Sequence, residues 1–444
     1  MRRPSMNPSL PALARLFSPE GCTPEQQRLL LSLLERLAVP VDTTRESAVL
    51  AQEWQRTSTL DDGRRVDPRE LPARGESPEL VVEQLRHLMR GTASGLNLSG
   101  MIGAVATVLA SSGEARRDEG LRADEAESRV AAMVSRVVGY DEERSGGRIT
   151  SGARAAVLAG LRVAIAKHAP EARRKGVPRN LYCFVSEGME DSLLEAVETT
   201  GLGSYHLIRV RTCEDGTMAA ADLRTKMLAV ASGGDVPLYV VASTGAEGCP
   251  TFDDVKELRE VADSVTTQYG LQPVHLHADA AWGGLYCVFN GYDLQDNPLG
   301  FETPVQEELT RLRTRLRHLH LADSVGLDFR WLGRASYPAG LFLLGNGAEL
   351  RLVGLRALEA PSALALHAQL RSFGLEGYRR LLAEMLELER APRGGAGRGL
   401  SGVLTRSGST RRSGSPEGLE LPSDLVPGVM PFAGARSSLA RPRN

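Results

Sequence analysis

Between residues 148 and 346 the chain alternates short apolar runs with longer stretches in which apolar positions recur every three or four residues. The first pattern suits a strand covered on both faces; the second suits a helix with one covered face. The apolar runs are LYCFVS (181–186), YHLIRV (205–210), PLYVVAST (237–244), VHLHADAA (274–281), LADSVGLD (321–328) and LFLLGN (341–346). Helical stretches fall between most of them: SGARAAVLAGLRVAIAKHA, MEDSLLEAVETTG, AADLRTKMLAVASG and FDDVKELREVADSVTTQYG. This alternation predicts an α/β domain built on a mostly parallel sheet. Ligands of such sheets sit at the carboxyl ends of the strands, so the residues just after each apolar run are the candidates for chemistry.

The flanks read differently. Residues 1–77 mix amphipathic pieces such as PEQQRLLLSLLERLAVP with polar loops, which predicts an N-terminal arm or helical packing segment. From 78 to 140 the pattern is helical, and the small residues of SGLNLSGMIGAVATVLASS point to close helix packing. PSALALHAQLRSFGLEGYRRLLAEMLELERA (361–391) is strongly amphipathic and closes the main domain, 78–391. Residues 392–444 are rich in Gly, Ser and Arg and poor in large apolar residues, the composition of a disordered tail.

Composition narrows the function classes. With 444 residues, 42% of them hydrophobic, the chain can bury a large core. A formal net charge of -2 gives no global pull toward nucleic acid or an anionic membrane. No apolar run reaches the ~18 residues of a membrane span, and Pro4, Pro8 and Pro11 interrupt the basic start where a signal peptide would be apolar. The five cysteines are odd in number and form no C-x-x-C pair, which argues against a disulfide framework or a zinc ribbon and for a reducing, cytoplasmic setting. No metal site is expected. Lysine is scarce: an amine nucleophile could come only from Lys167, Lys175, Lys226, Lys256 or the N-terminus.

The strongest local feature is HLHADAAWGG (275–284), which places Asp279 at the end of a buried strand before small residues and a Gly-Gly turn. A carboxylate there needs a donor or a cation. A protonated pyridine nitrogen would serve, in a charge-assisted hydrogen bond of about 1.5–3 kcal/mol. An Asp that merely caps the following element fits the spacing equally well.

Five segments in order, ITSGARAAVL (149–158), VSEGMEDS (185–192), ASTGAEGCPTFDDV (242–255), HLHADAAWGG and ADSVGLDFRWLGRASYPAG (322–340), resemble the group II pyridoxal-phosphate-dependent amino-acid decarboxylases. That family includes the glutamate, tyrosine and aromatic amino-acid decarboxylases. The resemblance implies a fold type I, three-layer α/β/α domain, pyridoxal 5'-phosphate as cofactor, carboxy-lyase chemistry on an amino acid, and a dimer with shared active sites. It also implies that the small C-terminal domain of the family is replaced here by the tail.

Carried over position by position, the resemblance is uneven. Asp279 matches the aspartate that holds the pyridine nitrogen, and Ala281 the small residue against the ring. Ser151, Gly152 and Arg154 lie in the turn and helix start that take the phosphate, where Ala153 departs from the family's second glycine and the threonine contact is gone. Ser324 and Arg330 fall in the cofactor-lysine motif. Glu190 stands at the stacking histidine, and Gly245, Ala246 and Glu247 replace Gly-Thr-Thr. An ungapped match of the last motif keeps Asp323, Ser324, Val325, Asp328, Leu332, Gly333, Tyr337, Pro338, Ala339 and Gly340, and puts Phe329 at the proline, Arg330 at the histidine and Trp331 at the lysine. An indole offers no amine to form an imine with the cofactor aldehyde or to exchange with a substrate amine. These positions imply a family member with lost or reduced catalysis. The alternatives are a non-catalytic or regulatory partner, as a homodimer or a heterodimer with an active paralogue, and a pocket reused for another anion through Arg154 and Arg330.

Overall fold

The structure, a computed structural model, describes residues 98–111, 123–246, 249–335, 337–354 and 360–390, with a few isolated helical positions before residue 98. The expected tail lies outside the described residues, as does the N-terminal segment apart from those positions. The continuous stretches belong to one compact unit, residues 97–111 and 115–415. Helices α1 (Leu98–Ser111) and α2 (Ala123–Val138) lead to strand β1 (Gly146–Thr150) and helix α3 (Ala153–His168). A short α4 (Ala172–Lys175), β2 (Leu181–Ser186), α5 (Glu190–Thr199), β3 (Leu207–Val210), α6 (Ala220–Ser232), β4 (Val236–Ala246) and β5 (Cys249–Phe252) follow. The chain continues through α7 (Val255–Tyr269), β6 (His275–Asp279), α8 (Thr303–Leu316), β7 (Ser324–Asp328), β8 (Gly340–Leu344), a short α9 (Leu350–Val353) and α10 (Ala360–Arg390).

The strands form one sheet in the order β1-β8-β7-β6-β4-β2-β3, with β5 folded back on β4. β8 runs antiparallel to both its neighbours; the other pairs along that path are parallel. The expected mostly parallel α/β architecture is therefore present. Side chains alternate between the faces as a strand requires. Phe184 of β2 joins a cluster with Val130 of α2, Met227 of α6 and Leu258 of α7. Its neighbours Cys183 and Val185 join Leu161 of α3 and Leu193 of α5 on the other side. Apolar runs without polar interruption are the sequence trace of this double covering.

Three elements escaped the sequence pattern. β1 carries one aliphatic residue, Ile149, and is held instead by its pairing with β8 and by buried Glu127, which accepts from the Ile149 amide (2.7 Å) and pairs with Arg148 (3.2 Å). β5 is a short return strand on β4. α8 is highly polar, yet its sparse apolar positions Val305, Leu309, Leu312 and Leu316 share one face and are buried. The run 205–210 becomes a strand only from Leu207, because Ser204–His206 form a 3-10 turn. Gly374 takes a left-handed φ of 59° and breaks the long α10 into two helical pieces.

The small-residue helix packs closely, as its composition predicts. A Cβ on Gly103 of α1 would lie 2.4 Å from the Leu364 carbonyl oxygen and 2.6 Å from the Ala365 Cα of α10. Backbone cannot yield as a flexible side chain can. Gly103→Ala should therefore destabilise the domain by about 1–3 kcal/mol in urea unfolding. Gly291→Ala, where nothing lies within 4 Å, should stay within about 0.5 kcal/mol of the parent.

Candidate functional site

The register of the parallel strands sets Ser243, Asp279 and Gly326 abreast near the carboxyl ends of β4, β6 and β7. Asp279 is buried, and its Oδ1 accepts from the Ala281 amide at 3.2 Å. The Thr244 hydroxyl donates to the Asp279 carbonyl at 3.2 Å. Beyond β6 the chain turns tightly against β4: the Gly245 carbonyl accepts from the amides of Trp282 (2.7 Å) and Gly283 (2.8 Å). Gly245 is required there, because it has φ +83° and a Cβ would fall 2.5 Å from the Gly283 Cα. The side of Asp279 and Ala281 is thus a flat, small-residue wall ending in Trp282.

Asp328 closes β7 and is fully buried. Arg330, two residues on, answers its charge: Nε lies 3.0 Å from both carboxylate oxygens, and Nη2 donates to Oδ2. The Arg330 amide also donates to Asp328 Oδ1 at 3.0 Å. The same guanidinium lies against the turn before α3, where a Cβ on Gly152 would meet Nη2 at 2.6 Å. Trp331 follows, partly buried, edge-on to Trp282 with ring centroids 6.3 Å apart. Its indole N–H finds no acceptor among the described residues.

The loop carrying Trp331 is closed on itself and clamped from outside. Phe329 donates its amide to the Ala339 carbonyl (2.9 Å) and accepts from the Ala335 amide (2.8 Å), while Arg334 takes a left-handed φ of 56°. Buried Gln369 of α10 accepts from the Tyr337 hydroxyl (2.7 Å) and donates to the Gly333 carbonyl and the Tyr378 hydroxyl. Gly100 of α1 lies against the Tyr337 ring. Gln369 was absent from the sequence reading. Its one signal is a polar residue in step with Leu366 and Phe373 on the covered face of an amphipathic helix.

The expected site residues divide. Asp279 and Ala281 stand together, Gly152 and Arg330 meet, and Trp331 links to the first group through Trp282. Ser151 is exposed at the bend beside Gly152. Arg154 points away to solvent and pairs with Glu195 of α5 at 3.0 Å. Glu190 opens α5 beyond the carboxyl end of β2. Ser324 is a correction. It begins β7, about 13 Å of strand from Asp328, and its hydroxyl lies 2.8 Å from both His275 Nε2 and His277 Nδ1 in the core. Asp323 beside it also works at that end, accepting from the Leu276 amide (2.7 Å) and pairing with Arg259 (2.9 Å). That half of the motif fastens β6, β7 and α7 together. The four lysines are paired elsewhere: Lys167 with Glu349, Lys175 with Glu171, Lys226 with Asp222 and Lys256 with Glu260. Among the described residues no group of His, Cys, Asp and Glu could hold a metal ion, and no helix is long and apolar enough to cross a membrane.

Burial lowers the pKa of His275 to about 4 and of His277 to about 3. The unfolded chain, with His near 6.5, binds these protons first, so stability is full above that value and falls as pH drops from 6.5 toward 3–4. Asp253 acts in the opposite sense. It accepts from the Met218 and Ser243 amides, yet burial raises its pKa to about 6, so protonation below that favours the fold. Two histidines outweigh one aspartate. Urea unfolding should show net loss of stability from pH 7 to 4, and His277→Leu should flatten that dependence.

Residues 124–293 match the family model for the pyridoxal-dependent decarboxylase conserved domain. A glutamate decarboxylase-like protein of Gibberella zeae is 29% identical over 46% of this chain and 34% of its own length. An L-2,4-diaminobutyrate decarboxylase of Rhizobium meliloti is 26% identical over 52% of this chain and 40% of its own. The chain thus spans well under half of these curated relatives. Among solved structures, mouse CSAD superposes with a TM-score of 0.60 at 19% identity, covering 82% of this chain and 78% of that one. Oryza sativa TDC with PLP and tryptamine gives 0.58 at 14%, covering 81% and 77%. These likenesses share the fold. The resemblance to group II pyridoxal-phosphate-dependent decarboxylases holds in sequence and architecture alike, and pyridoxal phosphate is the cofactor for which the matched domain is named.

Proposed function

We propose that this chain is a pyridoxal-phosphate decarboxylase-type protein of amino-acid metabolism that has lost, or nearly lost, lysine-dependent turnover. The observation that carries the reading is Trp331, packed against Trp282 at the position the motif assigns to the cofactor lysine. A bound pyridoxal phosphate would supply an electron sink for decarboxylation and would need a lysine amine as its tether.

The residues present fit one half of that arrangement. Buried Asp279 and the small wall at Ala281 suit a flat protonated ring. The other half does not fit. No amine stands at 331, the four lysines have carboxylate partners, and Arg330 already spends its charge on Asp328 while lying against Gly152. Trp331 acts as an apolar plug, and the clamp of Gln369 holds it in place. Reuse of the pocket for another anion is less well supported, because Arg154 and Arg330 both have carboxylate partners. A role as the silent partner in a homodimer, or in a heterodimer with an active paralogue, is compatible with the loss.

Incubation of the purified chain with pyridoxal phosphate and borohydride, followed by peptide mass spectrometry, should give no reduced adduct on any lysine. A fixed adduct on one of the four would overturn the reading. Trp331→Lys should recover little decarboxylation across a panel of amino acids, because the Arg330–Asp328 pair and Glu190 remain. Robust carbon dioxide release by that single variant would mean the pocket is intact apart from one residue.

A further inference from the structure

A cavity lies at the rim of the sheet opposite Asp279. β8 runs antiparallel to β7, so the chain leaving Leu344 emerges beside the amino ends of the parallel strands, away from Asp279. There α9 packs beside the carboxyl-terminal part of α3, and with α4 and the end of α5 they enclose a groove of about 600 Å³. That volume is within the range of small-molecule sites. Leu158, Ile165 and Val353 give it an apolar floor, and Arg162, Arg173 and Arg351 surround it. Among the described residues, no acidic side chain lines it.

The rim of the groove carries positive charge. Arg162 donates to the Val353 carbonyl (2.8 Å) and Arg351 to the Ala348 carbonyl (3.1 Å), which fixes both arginines around the groove. Among the described residues none of the three has a carboxylate partner, whereas Arg148, Arg259 and Arg330 each do. The carboxyl ends of α3 and α5 lie here and offset roughly half a charge each. The three guanidinium groups are exposed to water, and together they leave a net positive field of about two charges at the rim of an apolar groove, which favours an entering anion. Guanidinium groups match the paired oxygens of carboxylates and phosphates. The floor would take a hydrocarbon body.

We infer that this groove binds an amphiphilic anion, with its oxyanion head held by Arg162, Arg173 and Arg351 and its hydrocarbon body on Leu158, Ile165 and Val353. The site is independent of the decarboxylase-type pocket: it uses none of those residues and requires no cofactor. Its ligand is either a carboxylate or a phosphate monoester, and the two share the same recognition.

Isothermal titration of the full chain with octanoate, octyl phosphate, octanol and inorganic phosphate tests this. At least one amphiphilic anion should bind about tenfold or more tightly than both octanol and inorganic phosphate, and the stronger of the two identifies the head group. Arg173→Ala and Arg351→Ala, both at exposed positions, should each weaken it several-fold, and Ala166→Phe, which fills the groove, should abolish it. Octanol binding as tightly as the anions, inorganic phosphate binding as tightly as the amphiphiles, or affinity unchanged in both arginine variants would overturn the inference.

Discussion

A fully buried carboxylate is costly without close hydrogen-bonding and charged partners, and Asp328 at the end of a central strand sets that requirement for its part of the carboxyl rim. Arg330 meets it from two residues away through both side chain and backbone. Several things then follow from one ion pair. The loop must fold back at once, the guanidinium must lie against the Gly152 turn, and Trp331 is directed to Trp282. The positive charge that the turn before α3 could have offered to a phosphate is already matched.

The remainder of the loop is held by packing from distant segments. Gln369 satisfies two hydroxyls and one carbonyl in the interior, so removing it would leave several buried groups without partners. α1 reaches the same loop through Gly100 and meets α10 at Gly103, which couples the small-residue helix to the placement of Trp331. The antiparallel course of β8 has a separate consequence. It carries the chain to the opposite rim, where the arginine-lined groove forms without touching the carboxyl-rim site.

The core strands were legible because a strand buried on both faces must be apolar along its whole length, as LYCFVS and PLYVVAST are. The site was legible in part for a related reason: a carboxylate directly after such a run, as at Asp279, stands out against its surroundings. β1 and α8 were harder to read because their stability comes from partners. Ile149 alone gives no periodicity, and α8 needs its few apolar residues only on one narrow face. Ser324 misled because a motif reports adjacency in sequence, whereas the two ends of a strand face different rims.

Sequence alone determined the alternating α/β order, the resemblance to pyridoxal-phosphate decarboxylases and the presence of a tryptophan, Trp331, in the middle of the last matched segment, since each depends on residue identity or local spacing. Tertiary structure decided what those residues do. It paired Arg330 with Asp328 and Arg154 with Glu195, moved Ser324 into a histidine pair, brought Gln369 to the loop and gathered three arginines around one groove. Charge compensation and burial are properties of neighbours in space, and residues 36 or 191 positions apart in the chain, such as Gly333 and Gln369 or Arg162 and Val353, acquire them only on folding.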